Sequence, residues 1–388
     1  MMRRKMRLGL AVLLLGVAGS VSAELRFGLH EVRSFDVVAE GGRLHLLVAG
    51  PLESGGTAVL RYVLSPDGGH SFAAPVVVGA GQAPPFNPHR GSDVQLAVHA
   101  QRRLAVWTVA GSGYGGSGPL ATAVSGDGGQ RFTPGPNPAD DGSDGGHAYA
   151  AIAADAQGIF HAVWLDSRAG AQGLHYAASG DGGQSWSANR TLDAGSCECC
   201  WNALLPADEI YVLYRDKAPR DMALMAGVEG RWQRRATVGA FNWTFDGCPH
   251  VGGALALSGR GESSRLHALV WTGASGKQGL WALRSADHGQ RWRRPQRLGG
   301  ERARHADLAA AGEQVAAVWD DRDAQGQRVI RLARSADQGR TWRDPQTLVT
   351  SASATHPRVV ISGEQPLALW TQTGTDGRPV LMLVPAVE

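Results

Sequence analysis

The chain has 388 residues, which is enough for one large domain or two ordinary ones. It contains 53 glycines, and only 19% of its residues are charged. Short apolar runs alternate with glycine-rich turns, and few stretches have the apolar spacing of an amphipathic helix, which is typical of an all-β protein. No basic patch accompanies the formal net charge of +3, so we predict no nucleic-acid partner.

The N-terminus has the features of a secretory signal peptide. Basic residues at positions 3–7 precede an apolar run from Leu8 to Val17, and Val21-Ser22-Ala23 is a small-residue cleavage site. We predict a signal peptide over residues 1–23 and one mature domain over residues 24–388, exported to the periplasm or secreted. The apolar run is short for a bilayer span, so we expect no stable membrane insertion after cleavage. Cleavage would leave 34 basic and 35 acidic residues, a nearly neutral protein.

One eight-residue pattern, Ser-x-Asp-x-Gly-x-x-aromatic, occurs five times. Its aspartates are Asp67, Asp127, Asp181, Asp287 and Asp337. In the copy that begins at Ser179, the Asp181 carboxylate can accept backbone N–H groups of its own loop, and Gly183 can adopt a positive φ. The closing aromatic, here Trp186, can fold back onto the sheet. The pattern therefore predicts a structural hairpin turn and does not specify a reaction.

These repeats resemble the Asp-box, or bacterial neuraminidase repeat, of the sialidase-like β-propellers, and the resemblance covers nearly the whole mature chain. It implies a ring of four-stranded blades, with six as the expected number. Counting strands instead gives seven units, whose second strands end at Trp107, Trp164, Tyr214, Trp271, Trp319, Trp370 and, in an aliphatic version, near Leu47. We therefore predict an all-β propeller with seven blades and these aromatic side chains in its core.

The last unit is one strand short. The mature N-terminus, Leu25–Val32, is predicted to supply the missing strand, because a ring closed by both termini leaves no open sheet edge.

In a propeller, the loops that enter the innermost strands form the mouth, where ligands usually bind. Counting back from the second-strand aromatics places titratable or metal-capable residues in these loops. They are Asp93, His147, Cys200, His250, His305 and His356. The recurrence predicts a mouth that binds a small molecule, a glycan or a metal, although an exposed loop also favours polar residues without any ligand. We expect a monomer.

All four cysteines belong to these mouth loops. Cys197, Cys199 and Cys200 open the fourth unit, and Cys248 opens the fifth, which would be the neighbouring blade. Two interpretations remain open. Exported proteins commonly form disulfides, whereas thiolates completed by His250 would bind copper or zinc. For a metal site we favour copper, because three thiols are crowded together and the compartment is oxidising.

The resemblance also implies an activity, because sialidases bind the substrate carboxylate with three arginines and use an Asp acid/base and a Tyr–Glu pair. The first arginine usually lies in an Arg-Ile-Pro motif, which this sequence lacks. Residues that could face the mouth are Arg90, Arg168, Arg215, Arg322 and Arg358, with Asp93 as a possible acid and Tyr149 as a possible mouth residue. In Asp166-Ser-Arg168 and Asp320-Asp-Arg322 we predict turns with local Asp–Arg pairs.

Three functional hypotheses follow. The leading one is an exported ligand- or metal-binding propeller without hydrolase activity, whose site is Cys197, Cys199, Cys200, Cys248 and His250. The first alternative is a sialidase-type glycoside hydrolase, and the second is a protein-interaction platform held by two disulfides.

Overall fold

A computed structural model describes residues 24–168 and 170–385, so the predicted signal peptide lies outside the described residues. Within these ranges, 28 β-strands form seven separate antiparallel sheets of four strands each. Two short 3₁₀ turns, Tyr114–Gly116 and Gly261–Ser263, interrupt the connections. No helix in the described part of the chain has the length and apolar character needed to cross a membrane. The predicted all-β propeller with seven blades is confirmed.

The first three blades follow the chain in order, each from its innermost to its outermost strand. Blade 1 comprises β2 (Ser34–Glu40), β3 (Arg43–Pro51), β4 (Ala58–Ser65) and β5 (Val76–Val78). Blade 2 comprises β6 (Gln95–His99), β7 (Arg102–Ala110), β8 (Ser117–Ser125) and β9 (Thr133–Gly135). Blade 3 comprises β10 (Ala148–Ala154), β11 (Phe160–Asp166), β12 (Gly173–Ser179) and β13 (Arg190–Asp193).

The other four blades repeat this order. Blade 4 comprises β14 (Ala203–Pro206), β15 (Ile210–Arg215), β16 (Met222–Val228) and β17 (Arg231–Val238). Blade 5 comprises β18 (Ala254–Ser258), β19 (Arg265–Thr272), β20 (Gly279–Ser285) and β21 (Gln296–Gly299). Blade 6 comprises β22 (Asp307–Ala311), β23 (Gln314–Arg322), β24 (Arg328–Ser335) and β25 (Gln346–Thr350). Blade 7 comprises β26 (Thr355–Ser362), β27 (Gln365–Thr373), β28 (Pro379–Pro385) and β1 (Glu24–Leu25).

The N-terminal strand closes the ring, as predicted, but it is shorter than expected. Only Glu24 and Leu25 pair with β28, opposite Met382 and Leu381. The predicted strand over Leu25–Val32 is wrong beyond Leu25, because Phe27 and Gly28 both have positive φ angles and turn the chain away from the sheet.

The second strand of each blade is buried on both faces, because it packs between two neighbouring blades. Trp164, Trp319 and Trp370 are each no more than 1% exposed. Trp107 of blade 2 packs in one apolar cluster with Leu47 of blade 1. The aromatic side chains at the ends of the second strands therefore lie in the core between blades, as the strand count predicts.

Each Asp-box forms a turn that satisfies its own polar groups. In the third blade, Ser179 Oγ donates to Asp181 Oδ1 at 2.8 Å, and the backbone N–H groups of Gln184 and Ser185 donate to the same oxygen at 2.9 and 3.0 Å. Gly183 has φ +89°, and a Cβ there would lie only 2.8 Å from Val124 of the preceding blade. The glycine thus allows the turn to pack against its neighbour.

The same hydrogen bonds hold the box carboxylates in their ionised form. The Ser185 hydroxyl and backbone N–H groups lower the pKa of Asp181 to about 2. Because the pKa of the folded state is depressed, the stabilisation is fully present above the ordinary aspartate pKa. It is lost as the pH falls through about 2.

We expect Asp181→Asn to lower the free energy of unfolding at neutral pH by about 1–2 kcal/mol, because the amide cannot accept all of the carboxylate's hydrogen bonds. The difference from wild type should shrink as the pH falls from about 4 to about 2, where Asp181 itself becomes protonated. Urea unfolding at several pH values measures this. Asp344→Asn, at an exposed aspartate, is the control and should match wild type; equal effects of both variants would contradict the prediction.

Candidate metal centre

The cysteines lie in two loops that enter adjacent inner strands. Residues 197–200 precede β14, and residues 248–250 precede β18, which is the inner strand of the next blade. Every inner strand of the propeller begins on the same face, so both loops reach the same mouth. The structure thus brings together all five residues of the predicted site.

Three of the thiols form a buried cluster. Cys197 Sγ lies 3.7 Å from Cys199 Sγ and 3.5 Å from Cys200 Sγ. The three side chains are 1%, 5% and 1% exposed, respectively. All four cysteines of the chain are free thiols, and the closest sulfur pairs are well beyond the ~2.05 Å of a disulfide bond.

Cys199 also belongs to a second, exposed group. Ligand atoms of Cys199, Cys248 and His250 lie within 4.8 Å of one another, as do the three sulfur atoms of the buried cluster. Cys248 and His250 are both exposed. The two groups therefore share one sulfur atom and differ in their access to solvent.

Two arginines place positive charge beside the buried thiols. Arg220 Nη1 donates to Cys197 Sγ at 2.9 Å. Arg215 is only 2% exposed, and its guanidinium donates to the backbone carbonyls of Val251, Arg220 and Trp271. Its charge lies close enough to Cys200 to favour the thiolate of that residue.

The three buried thiols differ in acidity. Hydrogen bonds from Cys199 and Cys200, together with the nearby charge of Arg220, lower the pKa of Cys197 far below its ordinary value. Burial raises the pKa of the Cys200 thiol to about 11. Hydrogen bonding to Cys197 also raises the pKa of Cys199. These opposite directions, with Arg220 beside Cys197, favour the thiolate on Cys197, and binding of a metal ion by the other two sulfur atoms would require their thiols to give up their protons.

The predicted mouth residues His305 and His356 lie next to each other. Their rings stack with centroids 3.5 Å apart. Asp320 Oδ2 accepts from His305 Nδ1 at 2.7 Å, from Thr355 Oγ1 at 2.8 Å and from the backbone N–H of His356 at 3.0 Å. Burial, followed by the charges of His305 and Arg90, lowers the pKa of His356 to about 2, so this ring is neutral.

Trp201 directly follows the cysteine motif in sequence and lies beside the histidine pair. Its ring centroid lies 5.8 Å from that of His305 and 6.1 Å from that of His356. The predicted local pair between Asp320 and Arg322 is wrong: the Arg322 guanidinium donates to the carbonyl of Gly326, whereas Asp320 accepts from blade 7 and from His305.

A cavity of about 240 Å³ lies at the propeller axis, and its charged residues are paired. Arg358 contacts Asp36 at 3.1 Å and Asp307 at 3.1 Å. Arg90 contacts Asp93, a predicted mouth residue, at 2.8 Å. Tyr149 lines the same cavity and also packs against the buried cysteines. Both arginines that line this cavity thus already form ion pairs with aspartates of the described part of the chain.

His147, the remaining predicted mouth residue, does not line this cavity. It is 1% exposed, and its Nε2 lies 3.1 Å from Asp141 Oδ1 and 3.7 Å from Asp166 Oδ2. Asp166 also pairs with Arg168 at 2.7 Å, which is the local pair that the sequence predicts. Arg168, His175 and His147 surround Asp166, so this group is a buried polar network of blade 3.

Sequence reasoning missed the partners that come from other parts of the chain. Arg220 reaches Cys197 from the connection between β15 and β16, and nothing in its local sequence indicates this contact. Arg215 and Asp320 offered a usable signal, because each directly follows a second-strand aromatic and therefore lies near the end of its strand at the mouth face.

No protein-family model matches the sequence, and no match was found among curated proteins. Among solved structures, a protein of unknown function from Dyadobacter fermentans is similar with a TM-score of 0.54 and 13% identity, over 94% of this chain and 96% of that one. Trypanosoma rangeli sialidase in complex with the inhibitor DANA is similar with a TM-score of 0.52 and 9% identity, over 92% of this chain and 55% of that one.

The same sialidase in complex with sialic acid has a TM-score of 0.51 at 11% identity. This chain thus spans only about half the length of those sialidases, and identities this low establish the fold alone. The protein has the fold of the sialidase-like β-propellers.

Proposed function

We propose that this protein is an exported metal-binding propeller whose mouth binds a thiophilic ion through its four cysteines and His250. Copper(I) is the ion that we favour, with zinc as the alternative. The export proposal depends on the signal-peptide pattern of residues 1–23.

The distances between the buried sulfur atoms support this proposal most directly. Two sulfur ligands of one tetrahedral metal ion, each about 2.3 Å from it, lie ~3.8 Å apart. The observed separations of 3.7 and 3.5 Å from Cys197 to Cys199 and Cys200 match this spacing without rearrangement.

The surroundings of the thiols point the same way. Metal binding requires thiolates, and the charges of Arg215 and Arg220 stabilise negative sulfur in a buried site. Soft thiolate ligands favour copper(I) and zinc over harder cations. Copper(I) also tolerates two or three ligands, and the buried cluster offers three sulfur atoms.

Sialoside hydrolysis is the competing function, because solved sialidases share the fold. Recognition of a substrate carboxylate needs arginine guanidiniums that are free to bind it. In the cavity of this protein, Arg358 is paired with Asp36 and Asp307, and Arg90 is paired with Asp93. This pairing argues for a protein without hydrolase activity.

We expect the mature protein, purified without chelator, to contain about one copper or zinc ion per chain, and the Cys199→Ser/Cys200→Ser variant to lose it. Losing two of three buried sulfur ligands should weaken binding at least ~100-fold. Elemental analysis and thiol titration of the unfolded protein measure metal content and free thiols, with four thiols expected per chain. His70→Ala, at an exposed histidine far from the mouth, is the matched control. Metal-free protein with two disulfides would overturn the proposal.

We expect no turnover of a fluorogenic sialoside above background by the wild-type protein. The reason is that acidic residues of the protein neutralise both cavity arginines. Release of the fluorophore at neutral and mildly acidic pH measures this. Turnover that survives Cys199→Ser/Cys200→Ser but disappears in Arg358→Ala would favour the hydrolase instead.

A further inference from the structure

The predicted metal ligands lie at two depths, one pair buried and one pair exposed, and this difference indicates how an ion could reach the buried position. Cys197 and Cys200 are each 1% exposed, whereas Cys248 and His250 are exposed. Cys199 is within ligand distance of both pairs. A metal ion at either position would therefore keep one ligand unchanged.

We propose that copper(I) is first captured by Cys248 and His250 and then moves to Cys197 and Cys200, with Cys199 bound at both positions. This inference rests on the proposed metal-binding function and adds a route and a donor to it. The exposed pair is the entry position, and the buried cluster is the final position.

The transfer is a ligand exchange in which copper remains copper(I) throughout. The Cys248 sulfur forms a bond to the ion as a donor ligand leaves, and the thiol proton passes to that ligand or to solvent. Cys199 then binds, and bonds to Cys197 and Cys200 form as the bonds to Cys248 and His250 break. Cys199 passes its thiol proton to solvent as it binds, and the Cys200 proton passes to the Cys248 thiolate as the bond from copper to Cys248 breaks. Arg220 beside Cys197 stabilises the thiolate that receives the ion.

A groove that opens at Cys248 indicates which kind of molecule delivers the copper(I) ion. The groove has a volume of about 750 Å³, and Phe245 and Trp271 form part of its wall. This volume is in the range of pockets for small molecules. Arg322 and Arg328 of blade 6, and Arg302 of the loop that enters blade 6, also line the groove.

The charge of the groove favours an anionic ligand. Four arginines and three acidic residues line it, and one of those acids, Asp320, already accepts three hydrogen bonds from His305, Thr355 and His356. The guanidiniums of Arg302 and Arg322 donate only to backbone carbonyls of Asp323 and Gly326 among the hydrogen bonds of the described residues. The groove therefore fits a small anionic copper(I) complex.

The test measures copper(I) transfer to reduced, metal-free mature protein under anaerobic conditions. The donor is the coloured anionic complex of copper(I) with bicinchoninate, whose loss of absorbance in a stopped-flow instrument gives the rate and whose final absorbance gives the affinity. We expect Cys248→Ser to slow transfer at least ~10-fold, because the first thiolate to attack is missing. Its final copper content should stay at about one per chain.

Cys200→Ser should behave in the opposite way. Capture at the exposed pair should keep its rate, whereas the equilibrium affinity should fall ~10- to 100-fold with the loss of a buried ligand. For the exposed pair, His250→Ala should also slow transfer, and His89→Ala, at an exposed histidine of blade 2, is its matched control and should transfer at the wild-type rate.

Arg322→Gln tests the donor. It should slow transfer from the anionic bicinchoninate complex and leave transfer from the cationic acetonitrile complex of copper(I) unchanged, because only the first is attracted by the arginines. Equal slowing with both complexes would overturn the assignment of an anionic donor.

The outcomes separate this inference from the proposed function. If wild-type protein takes no copper from either complex, the metal-binding function itself fails. If wild type binds copper and Cys248→Ser loads at the same rate, or loses the ion at equilibrium, the two-position route is overturned while metal binding stands.

Discussion

Closure of the ring is the constraint on which the rest of the structure depends. Each of the seven sheets begins at its inner strand and continues outward in the same order, so the inner strands run in the same direction and every loop before an inner strand ends on one face. Residues far apart in sequence, from Cys197 to His356, therefore meet at one mouth. The Asp-box turns lie on the opposite face, where their hydrogen bonds are satisfied within each turn. The repeated structural turns therefore lie on the face opposite the mouth loops.

The arginines at this mouth fall into two groups, which differ in the groups that they contact. Arg358 and Arg90 contact carboxylates, which neutralise them and fix the axis of the propeller. Arg215 instead donates to backbone carbonyls, and Arg220 donates to a sulfur atom at 2.9 Å while the partly exposed Glu198 carboxylate lies farther from it, at 3.5 Å. A buried cation without full neutralisation by a carboxylate lowers the cost of placing negative sulfur beside it. The arginines near blades 4 and 5 therefore favour thiolates, whereas the arginines at the propeller axis are already paired with carboxylates.

Features that repeat along the chain could be predicted from the sequence, and features that depend on contacts between blades could not. The seven blades follow from repeated second-strand aromatics such as Trp164 and Trp319, each of which lies in the core for the same reason. Grouping of the cysteines with His250 followed from the position of their loops before two adjacent inner strands. The hydrogen-bond partners of Asp320 could not be predicted from the sequence, because they come from blade 7 and from the loop before β22, which approach it only in the folded structure. The short closing strand likewise depends on the positive φ angles at Phe27 and Gly28.

The arrangement of the sulfur atoms also explains why disulfides and a metal are alternatives at the same site. Cys197 lies closest to Cys200, and Cys199 lies within reach of Cys248, so these are the two pairs that oxidation would form. The Cys197–Cys200 pair, at 3.5 Å, would have to close by more than 1 Å to reach the ~2.05 Å of a disulfide bond. Closure would also remove the thiolates that an ion needs, and a bound ion would occupy the thiolates that oxidation needs. If the protein is exported to an oxidising compartment, as we propose, the order in which a metal ion and an oxidant reach the thiols would determine whether the mouth binds metal, and the proposed capture position at Cys248 would favour early binding of the ion.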